Sequence, residues 1–293
     1  MIANGPSSNH SHLSVPQNQG RLVFARMNRY ITRLSKNLTP GNVHHFRTNS
    51  RRVEAVIETL APDSRNKNKA LKLLAKLRKR AGKVRDIDVQ IVLLKNLKVP
   101  DRQSHRARLL ELLDEEHDRL TRKLTKAADA STLRELKKRL RREQDAIQFD
   151  GVDPLRLAMN ALPKIGQASL TEKNLHDFRL GAKHARYLAE LAGEDPAAST
   201  FVDELKRAQR AAGDWHDALK LKERAEKHFG SASESALVSV LQNISRARFR
   251  SASNALISAV ATLSKSEQLA MPPGQVQPKA ASSEKLEQRR SAA

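Results

Sequence analysis

The chain has 293 residues and carries 54 Lys and Arg against 32 Asp and Glu, a formal charge of +22 whose self-repulsion calls for a polyanionic partner. With no cysteine, disulfides and thiolate metal sites are excluded, and no apolar run approaches the roughly 18 residues of a membrane span. Hydrophobic content of 39%, with only 3% aromatics, still allows a core of Leu, Ala and Val in two domains or one pseudo-symmetric domain.

Residues 1–19 are rich in Ser, Asn and Gln and read as a disordered tail; they lack the basic start and apolar core of a secretion signal, so a soluble cytoplasmic protein is expected. From there the periodicity is helical nearly throughout, with no alternating strand run. The predicted helices are 21–38, 41–61, 66–83, 85–97, 101–129 and 132–148, then 154–163, 171–193, 198–213, 215–229 and 233–263. Residues 264–293 read as a second tail. Thr39 (ahead of Pro40), Asp101, Ser131 and Thr171 are candidate N-caps. The run DGVDP at 150–154 and the stretch from Pro163 to Gly166 mark a join between two halves, about 20–148 and 150–263. The expected fold is all-α, with two antiparallel helical bundles side by side.

Charge is distributed unevenly. Residues 21–100 hold 20 Lys and Arg against 5 Asp and Glu. Helix 21–38 offers Arg26, Arg29, Arg33 and Lys36 at helical spacing. The next begins VHHFRTNSRRVEAVI at 43–57, which on a wheel of about 100° per residue puts His44, Arg47, Arg51 and Arg52 on one side. Phe46, Val53, Val56, Ile57 and Leu60 lie on the other. Helix 66–83 adds a lysine face: Lys69, Lys72, Lys76, Lys79 and Lys83. Acidic residues at i+4, which a self-contained solvated helix would supply, interrupt neither the arginine row of 21–38 nor the lysine face. Helix 101–129 differs, with Glu111, Asp114, Glu115, Glu116 and Asp118 among Arg106, Arg108, Arg119 and Arg122, and reads as water-facing.

The second half repeats the first. LHDFRLGAKHARYLA at 175–189 matches His44, Phe46, Arg47 and Arg51 with His176, Phe178, Arg179 and Lys183 at a constant offset of 132, and adds Arg186 to the same arc. AGKVRDIDV at 81–89 matches AGDWHDALK at 212–220 at an offset of 131, pairing Gly82 with Gly213 and Asp86 with Asp217. Two elements kept in order and spacing argue for duplication. A lone basic stripe is usually a solvated face; its recurrence in both halves favours a binding role. Phosphate suits the residue types: Arg offers a fork of donors, Lys a point charge, and His a donor whose protonation an anion favours. His44 and His176 also fit a structural role at the bundle edge. A metal role is disfavoured, since neither has His or a carboxylate at i+4. Asp86, Asp88 and Asp217 read as caps of new helices or as holders of a neighbouring Arg.

These elements, V-H-x-F-R-x3-R-R at 43–52, G-K-V-R-D-I-D-V at 82–89, L-H-D-F-R-x3-K-x2-R-Y at 175–187 and G-D-W-H-D at 213–217, resemble the CHAD family, named for conserved histidines in an alpha-helical domain. The resemblance covers about 20–263. It implies two four-helix bundles related by a pseudo-twofold axis, enclosing a basic groove that binds inorganic polyphosphate. The contacts it implies are His44, Arg47, Arg51, Arg52, His176, Arg179, Lys183 and Arg186, with Lys72, Lys76, Lys79 and Lys83 from the lysine face, and Arg85. Arg26, Arg29 and Arg33 are further candidates. His216 stands where the first half has Arg85, which implies weaker binding at that corner. The E-x-E-x-K signature of the CYTH triphosphatases, to which family members are often fused, is absent. With no Walker A loop and no closely spaced carboxylate set, no enzyme activity, cofactor or metal is expected. The alternative partner is nucleic acid, though aromatics for base stacking are scarce. A granule-surface scaffold whose tails recruit other proteins is compatible with polyphosphate binding.

Overall fold

The computed structural model describes residues 13–99, 104–163 and 171–270, and every regular element among them is helical. In chain order these are α1 (Val15–Lys36), α2 (Pro40–Leu60), α3 (Arg65–Asn96), α4 (His105–Ala127), α5 (Ala130–Ala146), α6 (Pro154–Ala161) and α7 (Glu172–Ala189). A 3-10 turn (Glu190–Ala192) follows, then α8 (Pro196–Phe229) and α9 (Ala236–Ala270).

The ends follow capping chemistry. Thr39 Oγ1 accepts from the Asn42 amide at 3.2 Å and Thr171 Oγ1 from the Asn174 amide at 3.2 Å. At α5 the cap is Asp129 rather than Ser131: its carboxylate accepts from the Thr132 amide at 2.8 Å and also from the Ser131 hydroxyl at 2.6 Å. α1 starts at Val15, inside the stretch read as a tail, because Ser14 caps it and Pro16 suits its first turn. Asp101, residues 164–166 and most of both presumed tails lie outside the described residues.

The largest correction concerns helix number. Segments 66–83 and 85–97 are one helix, α3, and 198–213 and 215–229 are one helix, α8. Gly82 is not a breaker. It lies inside α3, and the Arg47 guanidinium of α2 rests against it, where a β-carbon would be 3.4 Å from Nε. Asp86, Asp88 and Asp217 are therefore mid-helix residues rather than caps. Asp86 accepts from Arg47 Nη1 at 3.1 Å, while Asp88 sits 3.0 Å from His117 Nε2.

Two apolar cores hold the helices. The first is built by α1 to α5, with Phe24, Met27, Ile31, Phe46, Ile57, Leu74 and Leu113 fully buried. The second takes Leu175, Phe178, Leu205, Trp215 and Leu256 from α7, α8 and α9. The cores share helices. α8, about 51 Å long at 1.5 Å per residue, also sends Leu221 and Ala225 into the first core, and α9 sends Leu237 and Leu241. Phe46 and Phe178 occupy matching positions in the two cores, and burying each contributes about 1.5–3 kcal/mol. That burial fixes the rotation of α2 and α7, and hence where their basic faces point. The two helices pack against each other across the join between the cores.

Candidate anion-binding site

With Phe46 and Phe178 turned inward, the basic faces of α2 and α7 meet. Arg47, Arg51, Arg179 and Lys183 come within electrostatic reach of one another, and none of the largest influences on Lys183 is a carboxylate. Burial, then Arg179, Arg51, Arg47 and Arg186, push its ammonium down to about 6. Burial also lowers Arg51, with Arg47 and Arg78 adding to the effect. It lowers Arg179 too, against the pull of Asp217, and the Arg179 Nε is buried without a hydrogen-bond partner. His44 is lowered by burial and then by Arg85, His45 and Arg47. His216 is pushed to about 3 by burial, Arg179 and His176. Asp217, a half-buried carboxylate beside Arg179, is itself raised by burial, although Arg179 opposes this. Such a cluster pays for its own assembly in repulsion, and an anion between α2 and α7 relieves it.

Two clefts flank the cluster; Arg47, Arg51 and Lys183 line the smaller, and Arg179 lines neither. The smaller, about 410 Å³, lies between α2, α7 and α8 and is lined by His44, Arg47, Arg51, Lys183 and Arg186, together with Lys206 and Arg210 of α8. The larger, about 660 Å³, lies between α3, α4 and α8 and takes Lys76, Lys79 and Lys83 of the lysine face. The Arg47–Asp86 pair joins them, since Arg47 lines the first cleft and Asp86 the second. Cations thus line both sides of that pair, with Asp86, Glu116 and Asp217 among them in the larger cleft.

Not every predicted residue borders these clefts. Arg52 is engaged elsewhere: its Nε donates to Glu190 Oε2 at 2.7 Å and its Nη2 to Oε1 at 3.3 Å, with the guanidinium 5.2 Å over the Tyr187 ring. Burial pulls its pKa down, but the bond and charge of Glu190 outweigh it and hold the group above its ordinary value. Arg52 is a strut between α2 and the 190–192 turn. Arg52→Ala is expected to lower stability by about 1–3 kcal/mol in urea unfolding. Lys72 is exposed on the lysine face but outside both clefts. Arg85 is half-buried and borders neither, acting on His44 through its charge. The His176 ring lies 5.5 Å from that of His216, which lines the larger cleft. Arg26, Arg29 and Arg33 border neither cleft. Arg33 sits 5.3 Å over Tyr30, whose ring stacks on His45 at 4.8 Å.

The structure also adds residues. α4, expected to face water, forms a wall of the larger cleft through Arg119 and Lys123, and α8 contributes Lys220 and Arg224. Arg224 is tied to Glu116 of α4, and Arg119 lies 3.4 Å from the same carboxylate. The available sequence signal was the i, i+4 spacing of Lys220 and Arg224 just past the second Gly-Asp-Trp-His-Asp element. Among the described residues no His, Asp and Glu cluster suits a metal ion, and no helix is long and apolar enough to cross a membrane.

Known structures share this arrangement of helices. The CHAD domain from the plant Ricinus communis is 14% identical with a TM-score of 0.60, covering 90% of this chain and 93% of its own. PptA from Streptomyces chartreusis is 15% identical with a TM-score of 0.57, covering 87% of this chain and 98% of its own. At that identity the likeness speaks for the fold alone. No curated protein matches the chain. The family model for the CHAD domain matches residues 19–226, most of the length and all of both repeated elements, and the chain therefore belongs to the CHAD domain family.

Proposed function

We propose that the chain binds inorganic polyphosphate without chemical turnover, the polymer lying along the α2–α7 contact and onto the lysine face of α3. In this reading the two repeats act as pseudo-symmetric four-helix bundles with the basic groove between them. The observation that carries it is the cluster of Arg47, Arg51, Arg179 and Lys183, assembled at such electrostatic expense that Lys183 is held down to about 6. A linear phosphate polymer fits better than a single anion because each of the two clefts carries several cations. Its flexibility lets successive phosphates find Arg forks and Lys charges in turn. Binding of this kind releases counterions, so affinity falls steeply with salt. A granule-associated role follows for a protein that holds this polymer and leaves it intact.

Nucleic acid is the competing partner, and the aromatic residues argue against it. Trp215, Phe46 and Phe178 are buried in the cores, so they are not platforms for stacked bases. Burial makes Trp215, the single tryptophan of the chain, useful as a reporter: its ring is 6.3 Å from that of His216, which lines the larger cleft. Long-chain polyphosphate is expected to change its emission at concentrations where orthophosphate does not. At fixed ionic strength and equal phosphate concentration, DNA or RNA should displace less than a tenth of the bound polymer. Full displacement by either would reassign the site to nucleic acid. Incubation with Mg²⁺ should release no orthophosphate.

A further inference from the structure

We propose that the α1–α5 edge is a second, separate polyphosphate contact, so that one chain holds two stretches of polymer; this rests on polyphosphate being the ligand of the first site. An open cleft of about 740 Å³ lies there, lined by Lys137, Lys138, Arg141 and Arg142 of α5 and Asn28 of α1, with Asp145 as its acidic residue. The rest of α5 accounts for its carboxylates on other faces. Glu135 is paired with Arg139 at 2.5 Å, and buried Glu143 accepts from Asn66 of α3 at 2.5 Å. Lys138, Arg141 and Arg142 are exposed, and no carboxylate lies within 4 Å of them among the described residues. Asn28 stands on the α1 wall of the cleft.

The position of this edge sets its consequence. α1 packs on α2, α2 on α3, α3 on α5 and α5 on α1, so the four close a ring in which α5 is diagonal to α2. The first site lies on the α2 side and the second across the core from it. A short phosphate chain bound at one cannot reach the other. A long one can wrap around to both, or two long ones can be bridged. Bridging converts binding into cross-linking, since the second contact forms at the high effective concentration set by the first.

The test is the triple variant Lys138→Ala, Arg141→Ala, Arg142→Ala in the full chain. Lys137 is spared because its Nζ donates to Thr32 Oγ1 at 2.7 Å and ties α5 to α1. Calorimetry with tripolyphosphate should count one fewer bound molecule in the variant than in the wild type. Light scattering on mixing with long-chain polyphosphate should fall at least tenfold, with helical circular dichroism unchanged. An unchanged count together with unchanged scattering overturns the proposal. That failure would leave the Trp215 response to polyphosphate intact in both proteins, whereas failure of the first-site reading would abolish the response in the wild type.

Discussion

Replacing Arg47, Arg51, Arg179 and Lys183 together by alanine is expected to weaken long-chain polyphosphate binding by roughly 1,000-fold near physiological salt. Each removed cation forfeits about 1 kcal/mol of charge-assisted contact after solvent exchange, and about 1.4 kcal/mol is tenfold in affinity. The same variant should flatten the plot of log affinity against log salt by about 3, because each phosphate contact on a flexible single strand contributes about 0.7 to that slope. The slope matters more than the affinity, since a merely misfolded protein loses binding without a proportionate change in counterion release. Arg47 holds Asp86 and Arg179 lies beside half-buried Asp217, so the fourfold change also strips two carboxylates of their neighbours. The double variant Arg51→Ala, Lys183→Ala avoids that, touching only cations whose pKa is depressed by burial and by other cations. It should lose roughly 30-fold in affinity and about 1.5 in slope. Unchanged affinity and slope in both variants would remove the α2–α7 contact as the binding site.

How far the sequence revealed this depends on the range of each interaction. The faces of α2 and α7 were legible because Phe46 and Phe178, fully buried, and the half-buried basic residues opposite them follow one local period of 3.6. The continuity of α3 and α8 was not. A glycine with an aspartate shortly after it reads locally as a stop and a new start, whereas Gly82 and Asp86 both lie inside α3 beside Arg47 of another helix. Arg52 was visible as a cation but not as a strut, because its partner Glu190 is 138 residues away. The wall formed by α4 was hidden for the same reason. Its mixed charges match a solvated helix, and only the tie from Glu116 to Arg224, 108 residues on, turns Arg119 and Lys123 toward a cleft. Helix faces are short-range information, and the pairing of charges between helices is not.

Lys183 is where binding and stability oppose each other, and Lys183→Met is expected to raise the melting temperature of the free protein by about 5 °C while weakening polyphosphate binding about tenfold. Removing one cation that is buried among like charges should stabilise by about 2 kcal/mol, which is a shift of that size for a helical chain of this length. The sign of the pH dependence follows from its lowered pKa, about 6 against the ordinary 10.5. Between those values the unfolded chain carries a proton that the native chain lacks, so stability rises with pH through the window and is lost as pH falls through about 6. The advantage of methionine should therefore be largest at pH 6 and below and shrink toward pH 10. Polyphosphate reverses the balance, since an anion beside Lys183 favours the charged ammonium and binding near pH 8 must take up protons. His44, lowered by burial and by Arg85, adds to that uptake. Wild-type affinity should fall as pH rises from 6 to 9. Calorimetry in buffers of different ionisation enthalpy should find up to about one proton fewer taken up by the variant at pH 8. A variant that is less stable than the wild type, with the same proton uptake, would make Lys183 a structural residue and take the charged centre out of the binding site.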